Sequence, residues 1–275
     1  MHVDAYHNTD SAATASQFTV GSVVGRTFST LFKRPGLFFG LTFLAALITF
    51  FIVFLFALVS PRNIGNLSKI VAFVINSMIQ GAIAYAVYRV LRKDTATIGS
   101  SLSHGFSRAL SIIFASILMG LAWMLCFIVG GMMMYFLKGI GVIFFFICML
   151  IAAILMCMWA VSIPACAVER LGPVESLQRS AELTLGHRWK IFGLMLLLII
   201  VMAALGAAIM YMMRGYLMML MMRGRMTFFA VFILLPLLVQ LIPQTFSNVM
   251  SSIMYYDLRA VKEGVDLDNL TNVFD

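Results

Sequence analysis

Charge is scarce in this chain. Only 11% of its 275 residues are Asp, Glu, Lys or Arg, against 62% hydrophobic residues. Soluble domains carry about a quarter charged residues. Six long apolar stretches, 37–59, 70–88, 112–136, 140–163, 191–213 and 228–253, contain no charged residue and no His. Each is close to or above the roughly 20 residues that cross a bilayer's hydrocarbon core. Ionisable groups inside a membrane usually mark pumps, proton relays or ion paths. Their absence argues against a proton-coupled pump and leaves open a polar, uncharged path.

Other absences narrow the class further. The four cysteines, Cys126, Cys148, Cys157 and Cys166, show no CxxC spacing and read as small apolar residues in a helix interface. No Asp/Glu/His spacing suggests a metal site, and no cofactor motif is present. No dense Lys/Arg patch with interleaved aromatics suggests nucleic-acid binding. A cleavable leader is missing too. Residues 1–17 are polar, and the first apolar run is too long and lacks a small-residue cleavage site. These residues are expected to form a disordered tail before an uncleaved first span. Residues 265–275 read as a short C-terminal tail.

What charge exists is unevenly placed. With six spans, one side holds Arg26, Lys33, Arg34, Arg89, Arg92, Lys93, Arg108, Arg170, Arg179, Arg188, Lys190, Arg259 and Lys262. The other holds Arg62, Lys69, Lys138, Arg214, Arg223 and Arg225. Lys and Arg resist translocation, so this split predicts both termini in the cytoplasm of a multi-pass inner-membrane protein. The net charge of +8 suits a protein facing anionic lipid.

A repeat organises the apolar stretches. Thr19-Val20-Gly21-Ser22 recurs as Thr97-Ile98-Gly99-Ser100. At the same offset Val20, Val24, Phe28 and Phe32 match Ile98, Leu102, Phe106 and Leu110, an apolar stripe at helical spacing. A fainter third copy, at a slightly shorter offset, aligns Leu177, Ala181 and Leu185 with Leu102, Phe106 and Leu110. Each copy precedes two apolar stretches, and each pair of stretches ends in a charged exit. The predicted fold is therefore all-α: six transmembrane helices plus interfacial amphipathic helices in one membrane domain, 18–264. It divides into three units, about 18–94, 95–171 and 172–264. Parallel repeats of this kind are related by an axis along the membrane normal. Gly172 and Pro173 start the third amphipathic helix, Pro being tolerated at the first helical position.

Several polar groups are candidates for function. Gln240, Gln244 and Asn248 recur every four residues in the last stretch, and Asn76 and Gln80 lie in the second. They read as a polar path for lipid or small solute, or as interhelical hydrogen bonds that fix packing. Glu169, Glu175, Arg179, Glu182 and Arg188 form a charged group. Glu175 with Arg179, and Arg179 with Glu182, have the spacing to pair along one helix face. That face reads as a solvated, self-paired surface able to dock a cytosolic partner. Catalysis by paired carboxylates would need a nucleophile or metal beside them.

Methionine is abundant, with 22 residues. Met132, Met133 and Met134 form one cluster. Met212, Met213, Met218, Met219, Met221, Met222 and Met226 form another. Thioether sulfur suits Cu(I), and Met equally serves as flexible apolar filler.

The segment from Pro164-Ala165-Cys166-Ala167-Val168-Glu169-Arg170-Leu171-Gly172-Pro173-Val174-Glu175 through Gly186-His187-Arg188-Trp189-Lys190-Ile191 carries a family resemblance. With Thr19-Val20-Gly21 and Tyr256-Asp257-Leu258-Arg259, it resembles the membrane domain of bacterial glycerophosphoryl diester phosphodiesterase proteins and related inner-membrane proteins. In the fused relatives, hydrolysis belongs to a separate TIM barrel of roughly 250 residues, for which this chain has no room. The resemblance implies a stand-alone, non-enzymatic membrane module without a cofactor, with a homeostatic or accessory role. Its implied partners are membrane lipids, another membrane protein or a second copy of itself. A lipid or small-solute transporter and a Met-rich Cu(I) binder are the competing readings. The copper reading predicts cuprous binding to the purified protein that is lost when Met218, Met219, Met221 and Met222 become Leu. Absence of binding, or binding that survives the change, ends it.

Overall fold

The structure is a computed structural model and describes residues 18–59, 64–221 and 225–264. The tails 1–17 and 265–275 lie outside the described residues. Among the described residues the chain is all-helical. The helices are α1 (Val20–Lys33), α2 (Pro35–Val59), α3 (Ile64–Leu91), α4 (Ile98–Ser107), α5 (Ala109–Met158), α6 (Ser162–Glu169), α7 (Pro173–Thr184), α8 (Arg188–Met221) and α9 (Arg225–Glu263).

Four segments among them are long and apolar enough to cross a membrane: Pro35–Phe56, Ser68–Leu91, Ala109–Glu169 and Arg188–Ala208. The third runs for 61 residues, about three times what a bilayer needs. It does not run straight. At Lys138 the backbone takes φ 47° and ψ −120°, outside helical values. A Cβ on Gly130 would lie 3.1 Å from Cys148 Cβ, and one on Gly141 would run into the Met133 carbonyl. The arms before and after Lys138 are thus folded back on each other, and only glycine permits so close an approach. The turn falls between the third and fourth apolar stretches of the sequence. The sixth stretch lies in α9, where no side chain from Arg225 to Gln240 is described.

The fourth stretch was expected to remain helical to residue 163. Instead α5 stops at Met158, and α6 starts at Ser162. Pro164 supplies the reason. It has no N–H for the carbonyl of Ala160, four residues back. Other elements satisfy the freed groups. Ser251 Oγ of α9 donates to Ala160 O (3.2 Å). Ser180 Oγ of α7 donates to Met158 O (2.8 Å) and accepts from Val161 N–H (3.3 Å). Thr184 Oγ1 also donates to Met158 O (3.3 Å). Backbone groups without water must find partners inside the protein, and here three hydroxyls from two helices provide them.

The short helices α1, α4 and α7 share one end of the bundle, called the base below. Their starts fall at the repeat positions. Thr19 and Thr97 are N-caps whose side chains accept from Ser22 and Ser100 N–H, and each serine answers with a bond to the cap N–H. This reciprocal pattern fixes where a helix begins. At the start of α7, Gly172 donates its N–H to Glu175 Oε2 (2.9 Å). The helix packing is cyclic: α1 lies on α9, α4 on α3 and α7 on α6. Two backbone carbonyls at matching repeat positions are held alike. Arg34 Nη1 donates to Ala96 O (3.3 Å), and Lys190 Nζ donates to Phe18 O (2.9 Å).

The core sits near the base. Phe38 and Leu41 of α2, Ile83 and Val87 of α3, and Ile253, Met254, Tyr255 and Leu258 of α9 are fully buried. Away from the base, α5 and α8 expose Phe127, Ile143, Phe146, Ile199 and Ile200 among many others. A continuous apolar exterior of this kind belongs in lipid, not water.

Ser180→Ala strands the Val161 N–H in a fully buried site. An unpaired buried donor costs about 1–3 kcal/mol. We expect a lower thermal midpoint in detergent than for Ser29→Ala, an exposed control. Equal midpoints for the two variants would show that the break does not depend on Ser180.

Candidate functional site

Two features at and above the base carry the polar groups: a network of charged side chains and a pair of cavities flanking α9. The network is a closed ring. Glu169, at the end of α6, accepts from Arg179 Nε through both oxygens (3.1 and 3.0 Å). It also accepts from Tyr255 O–H (2.5 Å). Arg179 of α7 makes a second ion pair with Glu263 of α9. Glu263 is also paired with Arg259 Nε (2.7 Å), and Arg259 Nη1 reaches Tyr255 O–H (3.4 Å), closing the ring. Its two carboxylates and two guanidinium groups cancel in charge.

The electrostatics follow from this closure. Burial alone would raise the Glu263 carboxyl, yet the bonds and charges of Arg259 and Arg179 outweigh it and hold the group below its ordinary range. Burial works against the Arg179 cation, but Glu263 and Glu169 raise it nonetheless. Burial, and then Glu169, pushes the Tyr255 phenol upward. These carboxylates are consumed as structural partners.

A second ion pair closes the chain on itself. Asp257 of α9, 6% exposed, pairs with Arg26 of α1, 46% exposed. Burial raises the Asp257 carboxyl to about 6, against the lowering effect of Arg26. The remaining short helix, α4, has a counterpart contact. His104 of α4 stacks on Tyr85 of α3 (centroids 4.1 Å apart), and its Nε2 lies 3.0 Å from Ala167 O. Arg26 and His104 are separated by the same offset as Thr19 and Thr97, and His104 and Arg179 by the same offset as Thr97 and Gly172. Each of Arg26, His104 and Arg179 joins its short helix to other helices of the bundle.

The structure redistributes the sequence candidates. Arg179 pairs with Glu169 and Glu263, not with Glu175 or Glu182 along its own helix. A partly buried Glu169 across the interface offers both oxygens, which outcompetes an exposed i,i+4 partner. Glu175 is spent on the Gly172 cap, and Glu182 is exposed. Arg188 has its Nε buried without a hydrogen-bond partner among the described residues. The expected self-paired face of α7 is therefore replaced by a clamp between helices.

The polar stripe divides as well. Asn76 and Gln244 line a cavity of about 160 Å³ with Thr42 and Thr49. Gln80 lines another, of about 280 Å³, with Trp123, Trp159, Ser247 and Ser251. Between the cavities α9 is closed: Thr245 Oγ1 donates to Thr42 Oγ1 (2.8 Å), and Asn248 is buried with its Nδ2 unpartnered among the described residues. The Gln240 side chain lies outside the described residues. So do those of Met212, Met213, Met218, Met219, Met221, Met222 and Met226. Met132, Met133 and Met134 are exposed just before the Lys138 turn. Among the described residues, no three His, Cys, Asp or Glu side chains group as metal ligands do. No protein-family model, curated protein or solved structure matches the chain.

The raised Asp257 group has a pH signature. Its neutral form is favoured in the folded state, so its contribution to stability grows as pH falls through about 6 toward the ordinary carboxylate value, and is lost as pH rises through about 6. The thermal midpoint of wild type relative to Asp257→Asn should rise between pH 7.5 and pH 5. A difference that does not change with pH would show that Asp257 titrates as an ordinary carboxylate.

Proposed function

We propose that this protein is a non-enzymatic module of a bacterial inner membrane. In this reading it has six spans in three related amphipathic-helix and hairpin units, with both termini cytoplasmic. It acts on membrane homeostasis, or supports another membrane protein, by presenting a rigid apolar platform to the lipids of the cytoplasmic leaflet. The resemblance to the membrane domain of glycerophosphoryl diester phosphodiesterase proteins, without their catalytic barrel, points the same way.

One observation carries this reading. Phe32, Leu110 and Leu185 sit at matching repeat positions, and all three are exposed, at 69%, 73% and 56%. Each lies at or just past the end of a short helix whose inner side is fastened through Arg26, His104 or Arg179. Phe28 and Phe106, one turn earlier in their helices, are exposed too. Apolar side chains held outward at the edge of a membrane bundle bind the headgroup–acyl boundary. The helix caps at Thr19, Thr97 and Gly172 support three units. The reversal at Lys138 supports counting Ala109–Glu169 as two spans. Glu169, Glu263 and Asp257 are each bonded to arginine, which supports a structural and not a catalytic use of these carboxylates.

The transport reading draws on Asn76 and Gln244, whose amides face a shared cavity with no partner among the described residues. Gln80 faces the other cavity, and the Thr42–Thr245 bond with buried Asn248 stands between them. Two separate pockets fit a packed module better than one continuous path.

The test is extraction of the full chain in native lipid nanodiscs, alongside a triple variant with Phe32, Leu110 and Leu185 changed to Ser. Mass spectrometry then identifies co-purifying lipids and proteins. The platform reading expects a reproducible set with wild type that is depleted several-fold in the triple variant. Identical sets from both would remove its main support.

A further inference from the structure

We propose that the larger cavity, together with Arg188, is a binding site for one anionic phospholipid. Its acyl chain lies among Trp123, Trp159 and Met195, and its phosphate lies at Arg188. This deepens the platform reading and rests on it for placing the site in a membrane leaflet.

The cavity exists because of the break in the third long segment. Trp159, Ala160 and Ser162 form its wall where α5 gives way to α6, and Met195 of α8 lies on another side. Five Met and two Trp side chains are in its lining, suited to a flexible hydrocarbon chain. Gln80 and Ser247 bring an amide and a hydroxyl to the same space. Neither has a partner among the described residues, so they can donate to an ester carbonyl of the occupant.

The polar end of the site is Arg188. It stands seven residues before Met195 in α8, so both share one helix face about two turns, or roughly 10 Å, apart. The guanidinium Nε is buried and unbonded among the described residues. No carboxylate among those residues pairs with it. His187 and Lys190 beside it add no acid. Arg188 also begins α8, where the helix N-terminus favours an anion. Trp189 is 86% exposed and marks headgroup level, as interfacial Trp does. A site with an apolar chamber below and an uncompensated cation above calls for a lipid with a phosphate and net negative charge. A soluble phosphate would leave the chamber unused.

Two of the three tryptophans report on the site directly. In a Trp189→Phe background, the full chain is reconstituted with brominated-chain phosphatidylglycerol or brominated-chain phosphatidylcholine, and the emission of Trp123 and Trp159 is followed. Half-quenching by the anionic lipid is expected at roughly fivefold lower mole fraction, the preference that one basic side chain confers. Arg188→Gln should equalise the two lipids, while Arg188→Lys should keep most of the preference. Ala160→Leu fills the chamber and should abolish the preference with Arg188 intact. Equal quenching in the starting protein, or a preference that survives Arg188→Gln, overturns the proposal. Relief of anionic-lipid quenching by inorganic phosphate would assign the cation to free anions and overturn it as well. Phe32, Leu110 and Leu185 do not line the cavity, so depletion in their triple variant is read independently of this titration.

Discussion

The fold depends on a break in a helix that cannot be left open. Between Met158 and Val161 a segment long and apolar enough to cross a membrane loses its regular bonding because Pro164 has no N–H to give. In lipid, each stranded carbonyl would cost several kcal/mol. Ser180, Thr184 and Ser251 meet that demand, and in doing so they tie α7 and α9 to the end of α5. The break is thus a junction. It sets where α7 crosses, brings Glu169 within reach of Arg179, and opens the larger cavity at its edge. A straight helix through 163 would erase all three.

Around this junction the base is held by contacts of one design. A short capped helix places a cation or imidazole against the end of a long helix. The chemistry differs at each position: a carboxylate for Arg26, an aromatic face and a carbonyl for His104, and two carboxylates for Arg179. Because these charges neutralise one another locally, the surplus of basic groups stands out. Arg188 combines a buried, unbonded Nε with the lack of any ion pair among the described residues. Buried ion pairs contribute modestly to net stability, but removing one partner is expensive, so such clamps favour a single arrangement over loosened alternatives.

Long-range features of the fold were legible in sequence where they rest on hydrophobic length and period. Charge-free runs coincide with the four segments long and apolar enough to cross a membrane, and a gap between two runs coincides with the turn at Lys138. Thr19 and Thr97 marked helix starts that the structure caps in identical fashion. Polar pairing was less legible, for a physical reason. Helical spacing lets Arg179 meet Glu175 or Glu182, but a pairing energy of a few tenths of a kcal/mol loses to a two-oxygen contact across an interface. Spacing within one helix also says nothing about rotation relative to others, so Gln80 and Gln244 could not be assigned to opposite sides of α9. The matching positions Arg26, His104 and Arg179 were present in the repeat, and extending the alignment to its polar members would have found them.

The contact between Arg26 and Asp257 spans 231 residues of chain. At about 5–20 residues per second of synthesis, the first short helix waits on the order of ten to fifty seconds before its carboxylate partner exists. For that interval the Arg26 guanidinium has no carboxylate on α9 to meet, and the bundle stays open along the seam between its first and last helices. Assembly is therefore sealed by the final helix to be made. Loss of even a short stretch around Asp257 would leave the first and last helices without the ion pair that joins them.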